Sequence, residues 1–373
     1  MKILQFGKAY PPVNLGGVES TIQLITEGLH EANVTCDVLG VNDNRLYTLE
    51  DVKMGKIHRA SLLKKAFSTL FSFNLISILS KIHKEYDIIH IHHPDPMCAF
   101  ALWLIKPKCK IVVHWHSDIL KQKLLLKIYR PFQSWLLRRA DIIIATSPTY
   151  AKFSGDLKLY QNKIEIVPIG IDMRQLESDG PIVENIRSKY KDKKILLSIG
   201  RMTYYKGYDS LIDSISYLSD EYVLLIIGDG ELKNDLEMKV EQLGLDKKVV
   251  FLGKVNDLER NSYLKACDLF VLSSIFKTEA FAIVQVEAMA FSKPIVSTII
   301  PGSGVDWVNQ NMLSGLTVPI NNPHAIARAI QEIMENENLY LELATGAHRR
   351  FLDEFTQEIM INRLIKIYNK LLK

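Results

Sequence analysis

Short apolar runs recur along almost the whole chain, each followed by a stretch with helical periodicity. The first series comprises Lys2–Phe6, Thr35–Leu39, Asp87–His93, Lys110–Trp115, Asp141–Ala145 and Ile164–Val167. A second comprises Lys194–Ile199, Tyr222–Ile227, Val249–Leu252, Asp268–Leu272 and Pro294–Thr298. Continuous apolarity marks strands covered on both faces, the habit of parallel sheets. The intervening helices, such as Gly17–Ala32, Pro323–Glu335 and Asn338–Phe355, are the crossovers that parallel pairing requires. The pattern predicts an α/β protein of two Rossmann-like, doubly wound parallel sheets, and 373 residues suit two domains. Pro168–Lys193 interrupts the alternation with Gly170, Gly180, Pro181 and a charged run, and reads as the connection.

Several function classes are disfavoured. Met1–Phe6 is too short for the apolar core of a secretory leader, and no run is long enough to span a bilayer. Cys36, Cys98, Cys109 and Cys267 show no paired spacing, so a reduced, cytosolic chain is expected. The net charge of +4 is uneven. Met1–Arg174 holds 23 Lys and Arg against 15 Asp and Glu, and the remainder 23 against 27. A basic first half suits an anionic surface. No nucleic-acid-binding motif is present, which leaves a membrane face as the expected partner.

The densest chemistry lies in Ser273–Ala290, between the runs Asp268–Ser273 and Lys293–Thr298. In open α/β sheets, ligands sit outside the carboxyl ends of the strands, where this turn falls. With the helix expected to open at Glu279, Glu279 and Glu287 stand about 800° apart on it and share a flank. Ala280, Phe281, Ala282 and Ile283 then offer free backbone N–H groups at a helix N-terminus, an anion site. Such a site suits a ligand with a phosphate end and a hydroxylated end, as in a nucleotide sugar. Two solvated glutamates on an amphipathic helix are the plainer alternative. Gly200-Arg201-x4-Lys206-Gly207 adds two cations after a strand, suited to a diphosphate. Gly16-Gly17, between the first strand and first helix, permits close approach of a ligand or a positive φ. Glu19 reads as a complement to the helix dipole. Gly228-Asp229-Gly230 lacks the third glycine of a dinucleotide fingerprint, since Lys233 stands there, so an oxidoreductase is disfavoured.

Glu279-x7-Glu287, followed by Ala288-Met289-Ala290, resembles the E-x7-E signature of retaining GT-B glycosyltransferases of family 4. Arg201 and Lys206 match the family's diphosphate-binding pair, and Gly16-Gly17 its glycine pair near donor and acceptor. The resemblance covers nearly the whole chain. It implies two Rossmann-like domains facing across a cleft: residues 1–172 for the acceptor and 173–355 for the nucleotide sugar. Residues 356–373 would form a helix that crosses back onto the first domain, with Thr356 as its N-cap. Lys254 and Val255 would flank the nucleobase, and Phe281, Ala282 and Ile283 the phosphates. Glu279 would hold the transferred sugar and Glu287 the ribose. Ala282 stands where the family usually has Gly; the expectation is a negative, helical φ that Ala tolerates. The family places a histidine at a strand end against the donor sugar, which maps to His116, with His114 the alternative.

His90, His92 and His93 end the preceding strand, with Asp95 just beyond it. Alternation along a strand puts His90 and His92 on one face and His93 on the other. With no paired His motif on a helix and no Asp-x-Asp, no metal is expected; His92, His93 and Asp95 are candidate acceptor contacts. Lys121–Arg130, Trp135–Arg139 and Leu62–Lys65 leading into Phe67–Leu79 are basic and amphipathic, either packed helices or a membrane-docking face. Pro301-Gly-Ser-Gly304 and Trp307-Val-Asn309 resemble a subgroup of surface-polysaccharide mannosyltransferases. The resemblance thus implies metal-independent, retaining transfer of a hexose, mannose from GDP-mannose. The acceptor would be a lipid-linked saccharide at the cytoplasmic membrane face, in O-antigen assembly. A UDP-sugar-dependent enzyme and a nucleotide-sugar-binding protein without turnover are the alternatives.

Overall fold

The computed structural model describes residues 1–13, 16–66, 69–119 and 123–373, with the side chains of the last span from 126 onward. The chain divides into two compact units, Met1–Gly170 with Gln357–Lys373, and Ile171–Thr356.

In the first unit the order is β1 (Lys2–Phe6), α1 (Gly17–Glu31), β2 (Thr35–Val41), β3 (Thr48–Val52), β4 (Gly55–Ala60), β5 (Lys64–Ala66), β6 (Thr69–Phe71), α2 (Phe73–Ile82), β7 (Ile88–His93), α3 (Pro96–Ile105), β8 (Lys110–Trp115), α4 (Lys123–Arg139), β9 (Ile142–Ala145), α5 (Pro148–Phe153) and β10 (Ile164–Ile166). The main sheet runs β10-β9-β8-β7-β1-β2-β4-β3 and is parallel except for β3 against β4. The β3–β4 hairpin left no mark in the apolar pattern. Four of the five residues of β3 are exposed, as befits a charged edge strand. Lys64–Ala66 and Thr69–Phe71 pair as a short antiparallel ladder rather than extending a basic helix. The helix there starts at Phe73, where Ser72 caps it by accepting from the Leu75 backbone N–H. Phe67 lies outside the described residues.

The second unit follows with α6 (Gly180–Lys189), β11 (Lys194–Ile199), α7 (Tyr208–Ile215), β12 (Tyr222–Ile227), α8 (Lys233–Gln242), β13 (Val249–Gly253), α9 (Asp257–Ala266), β14 (Leu269–Leu272), α10 (Ile283–Ala290), β15 (Ile295–Ile299), α11 (Val305–Val308), β16 (Gly315–Pro319), α12 (Pro323–Met334) and α13 (Glu337–Glu354). Its sheet is parallel throughout, in the order β13-β12-β11-β14-β15-β16. Much of the expected connection is therefore structured: Asp179 caps α6 and Pro181 sits in its first turn, where a missing N–H costs nothing.

The last helix, α14 (Gln357–Leu372), belongs to the first unit. Met360, Ile361, Leu364, Ile367 and Tyr368 form one buried stripe at helical spacing. They pack with Ile3, Leu24, Ile25, Ile88 and Val112. Gly28 on α1 has to be glycine for this approach, because a Cβ there would meet Ile361 Cγ1 at 2.5 Å. Gln357 Nε2 also donates to the Leu24 carbonyl at 2.7 Å. Each fully buried large apolar side chain in this stripe contributes about 1.5–3 kcal/mol.

Candidate active site

The order of the second sheet reverses between β11 and β14, so the chain leaves β11 toward one edge and β14 toward the other. Such a switch point opens a crevice at the carboxyl ends of the two strands. The loop after β11 carries Arg201 and Lys206, and the loop after β14 carries Glu279. Backbone contacts lace the two loops together. Ser273 Oγ donates to the Lys206 carbonyl at 2.9 Å, and Ile275 N–H to the Tyr205 carbonyl at 2.8 Å. Gly207, at φ +65°, lies so close that a Cβ would sit 2.2 Å from the Ser273 carbonyl oxygen.

This lacing brings Lys206 Nζ to 2.6 Å from Glu279 Oε2, with the two side chains only 11% and 12% exposed. Ser274 Oγ donates to the same carboxylate oxygen at 3.0 Å. Burial acts to lower the Lys206 pKa. Glu279, with Tyr208 and Tyr205, outweighs it and holds the ammonium above its ordinary value. Arg201 is 72% exposed and reaches Glu231 at 3.2 Å, while Glu231 is fixed by the Thr203 hydroxyl at 2.6 Å. One enclosed cation and one exposed cation, each paired with a carboxylate, thus flank the strand ends.

Glu279 does not open a helix. Helix α10 begins at Ile283, and its N-cap Ala282 has the left-handed φ of +60°. The expected negative φ at Ala282 is therefore corrected, as is the shared helical flank of Glu279 and Glu287. Tertiary bonds win over helix propagation here. Ser303 Oγ donates to the Glu279 carbonyl, and Gly304 N–H to the Ala280 carbonyl at 2.9 Å. Residues 279–282 form a braced loop, and Phe281 packs edge-on against Phe355 with centroids 5.9 Å apart. The backbone of Phe281, Ala282 and Ile283 still leads into a helix N-terminus.

Glu287 lies within α10. Burial raises its carboxyl pKa; the Arg260 guanidinium, 3.7 Å away, opposes the rise, and Asp257 adds to it. Lys254 stands exposed after β13, 3.7 Å from Asp229, with half-buried Val255 beside it. Gly228 and Gly230 serve close backbone approach, since a Cβ at either would strike the Gly200 or Met202 carbonyl.

In the first unit the sheet order reverses between β1 and β7. Gly16 precedes α1 with φ −153°, so no positive φ requires glycine there. A Cβ at Gly16 would instead crowd Glu19 Oε2 at 2.7 Å. Gly17 is the first residue of α1, while Asn14 and Leu15 of this loop lie outside the described residues. Glu19 is buried and 3.9 Å from Lys8 Nζ, a partner in addition to the helix dipole.

The face of this sheet that packs on α1 and α14 is apolar at Ile3, Ile88, Val112 and Ile144. Nearer the carboxyl edge it turns polar at Gln5, His90, His92, His114 and His116. The four imidazoles stack in parallel, with His114 and His116 4.3 Å apart at 6°. His93 faces the other way and stacks on Trp115 at 3.7 Å. Asp95 is buried as the N-cap of α3, accepting from Cys98 N–H at 3.0 Å. His93 and Asp95 are thus occupied by packing and capping. His114 is fully enclosed within β8, and His116 follows the strand with 8% exposure, the most accessible of the four stacked rings. Burial pushes the pKa of His116 and His90 down to about 3, with the His116 ring adding to the shift at His90. Burial also lowers His92 and His114 well below the usual histidine range, neighbouring imidazoles adding to it. His92, His114 and His116 bring ring nitrogens within 4.8 Å of one another. Two of these rings already turn nitrogens on each other, His92 Nδ1 and His116 Nε2 lying 2.9 Å apart.

Sequence reasoning missed Arg260, Glu231, Ser303, Gln5 and Tyr368. Gln5, a polar residue inside the run Ile3-Leu4-Gln5-Phe6, was visible as an anomaly. Tyr368 sits at an ordinary core position of α14 and carries no such mark.

Two doubly wound parallel sheets, with cations and carboxylates gathered at the carboxyl edge of the second, define the class of GT-B glycosyltransferases. The fold is similar to that of HepE from Anabaena in complex with UDP, at TM-score 0.79 and 18% identity over 99% of this chain and 100% of that one. It is also similar to sucrose-phosphate synthase from Thermosynechococcus elongatus, at TM-score 0.78 and 18% identity over 100% and 99%. Residues 182–350 match the model of glycosyl transferases group 1, and residues 15–175 that of glycosyltransferase family 4. Two relatives align over nearly their full length. O-antigen chain mannosyltransferase C of Escherichia coli is 32% identical over 100% of this chain and 99% of its own. D-rhamnosyltransferase WbpZ of Pseudomonas aeruginosa is 30% identical over 95% and 92%. The chain belongs to the group 1, family 4 glycosyltransferases.

Proposed function

We propose that this glycosyltransferase moves mannose from GDP-mannose, with retention, onto a lipid-linked saccharide, forming an α-linkage in surface-polysaccharide assembly. The observation that carries the reading is the enclosed Lys206–Glu279 pair at the switch point of the second unit. A diphosphate can take Lys206 from Glu279, with Arg201 forking onto a second oxygen. Glu279 is then released to accept hydrogen bonds from hydroxyls of the transferred sugar. The backbone N–H groups at the start of α10 face the same anion, Glu287 holds the ribose hydroxyls, and Lys254 and Val255 flank the base. His116 is proposed to contact a substrate hydroxyl. As the glycosidic bond breaks, charge grows on the leaving diphosphate, where fixed cations act most strongly. These cations meet that charge without a metal ion, so EDTA should leave transfer intact; loss restored by Mn²⁺ would overturn this part.

The mannosyl assignment is supported by the relative named an O-antigen mannosyltransferase, and the subgroup-like Pro301–Gly304 turn agrees with it. UDP-sugars are the alternative donors. A thermal-shift panel of nucleotide sugars, followed by transfer assays, tests the reading, since a ligand of the native state raises its apparent stability. GDP-mannose should shift the melting point most and be turned over. A larger shift with a UDP-sugar would overturn the donor, and binding without turnover would overturn the catalytic role.

A further inference from the structure

The stacked histidines are wired as well as stacked. His116 Nε2 lies 2.9 Å from His92 Nδ1, and His92 Nε2 lies 2.8 Å from Gln5 Oε1. Gln5 Nε2 faces His90 Nδ1 at 3.5 Å, and the Tyr368 hydroxyl meets that same nitrogen at 2.6 Å. Gln5 gives the chain a direction. An amide oxygen only accepts, so His92 donates from Nε2. A neutral imidazole has one N–H, so His92 Nδ1 carries a lone pair and must accept. His116 therefore donates from Nε2 and keeps its own lone pair on Nδ1. Burial keeps both rings neutral, which makes the assignment binary.

We propose that Gln5 and His92 are positioning residues that hold His116 as its Nε2–H tautomer, leaving Nδ1 as a fixed acceptor for a substrate hydroxyl. The proposal rests on the reading that His116 touches substrate. It explains a polar residue in the middle of an apolar strand, and why His92 is completely enclosed: it orients another ring and touches no ligand itself. This assignment replaces the direct acceptor contact expected of His92.

Ring ¹⁵N shifts of histidine-labelled protein at neutral pH, with the His116 signal assigned by its absence in His116→Ala, read the tautomer without any substrate. Wild type should show His116 protonated on Nε2. His92→Asn, whose amide oxygen can stand where Nδ1 stood, should retain that state. His92→Leu and Gln5→Met should give mixed tautomers. Protonation on Nδ1 in the wild type, or an unchanged His116 signal in His92→Leu, would overturn the proposal. Turnover of GDP-mannose adds a second readout. His92→Leu should lower kcat/KM roughly tenfold, the scale of one misdirected hydrogen bond, with His92→Asn restoring most of it. His116→Ala separates the two levels. An impaired His116→Ala beside an unimpaired, folded His92→Leu defeats the positioning role alone. A fully active His116→Ala defeats the reading beneath it.

Discussion

Lys206 and Arg201 reach the same strand ends in different states, and that difference decides which is the cleaner probe. Lys206 is enclosed against Glu279, so Lys206→Ala leaves a buried carboxylate without its cation. Breaking such a pair is strongly destabilising, about 3–5 kcal/mol when burial is complete. Lost activity in that variant would mix chemistry with unfolding. Arg201 is mostly exposed, and its pairing with Glu231 adds little to stability. Arg201→Ala should therefore keep its melting point while kcat falls by roughly 10²–10³, the usual effect of removing one preorganised charge-stabilising donor. Unchanged kcat would place Arg201 outside the diphosphate site. Ala282 offers a test of opposite sign. A left-handed φ costs a non-glycine residue about 1–2 kcal/mol, while glycine loses about 0.5–1 kcal/mol of unfolded-state entropy. Ala282→Gly should thus raise the urea midpoint slightly and Ala282→Val should lower it. A less stable Ala282→Gly would mean that the methyl group packs better than its conformation costs.

The histidine layer spans β7 and β8, and its acid response belongs to the elements together. Burial holds His90, His92, His114 and His116 neutral in the fold, with His90 and His116 pushed down to about 3. Unfolded, such rings titrate near 6.5, so below that pH the unfolded chain binds more protons. Their contribution is fully present above about pH 6.5 and is lost as pH falls toward about 3. Each ring that stays neutral steepens the loss by up to ~1.4 kcal/mol per pH unit. Urea midpoints between pH 7.5 and 5 should fall steeply, and His114→Leu should make the slope shallower. His114 has no partner on either ring nitrogen, so that variant should not lose stability at pH 7.5. An unchanged slope would mean that the rings protonate inside the fold. Elements buried on both faces were legible in the sequence because apolar runs such as Leu269–Leu272 and Tyr222–Ile227 have no competing period. The hairpin β3–β4 was not, since its residues face water. The start of α10 was misplaced for another reason. Ser303 and Gly304, twenty-odd residues downstream, hold Glu279 and Ala280 out of the helix, and local propensity carries no trace of that. Arg201, Lys206, Glu279 and Glu287 could be picked out as polar residues of recognisable spacing, whereas Arg260, Glu231 and Tyr368 act through folding alone.

Over the whole molecule, the excess of cations lies in Met1–Arg174, and the first unit adds exposed apolar side chains to it. No helix among the described residues is long and apolar enough to cross a membrane. Trp103 and Leu104 on α3 and Ile128 on α4 are 37%, 52% and 68% exposed, near exposed Lys106, Lys108, Lys127 and Arg130. Trp135, in the basic stretch Trp135–Arg139, is half-buried, so Trp103 is the more exposed indole. Lys121 lies outside the described residues, as does the side chain of Lys123. Apolar side chains beside cations suit the headgroup level of an anionic bilayer. Each Lys or Arg held near such a surface contributes about 1 kcal/mol, and the attraction fades within a Debye length of about 10 Å at 0.1 M salt. Four cations would then give binding that is reversible and easily screened. The protein should co-sediment with phosphatidylserine-containing liposomes at low salt and be released at high salt. Replacing Lys106, Lys108, Lys127 and Arg130 with Gln should abolish most of that binding while transfer to a short soluble acceptor persists. Trp103→Ala should weaken the salt-resistant remainder, because an apolar contact is not screened. Equal binding to neutral liposomes would count against the electrostatic part. Unaltered binding by the four-Gln variant would move the docking surface elsewhere on the first unit.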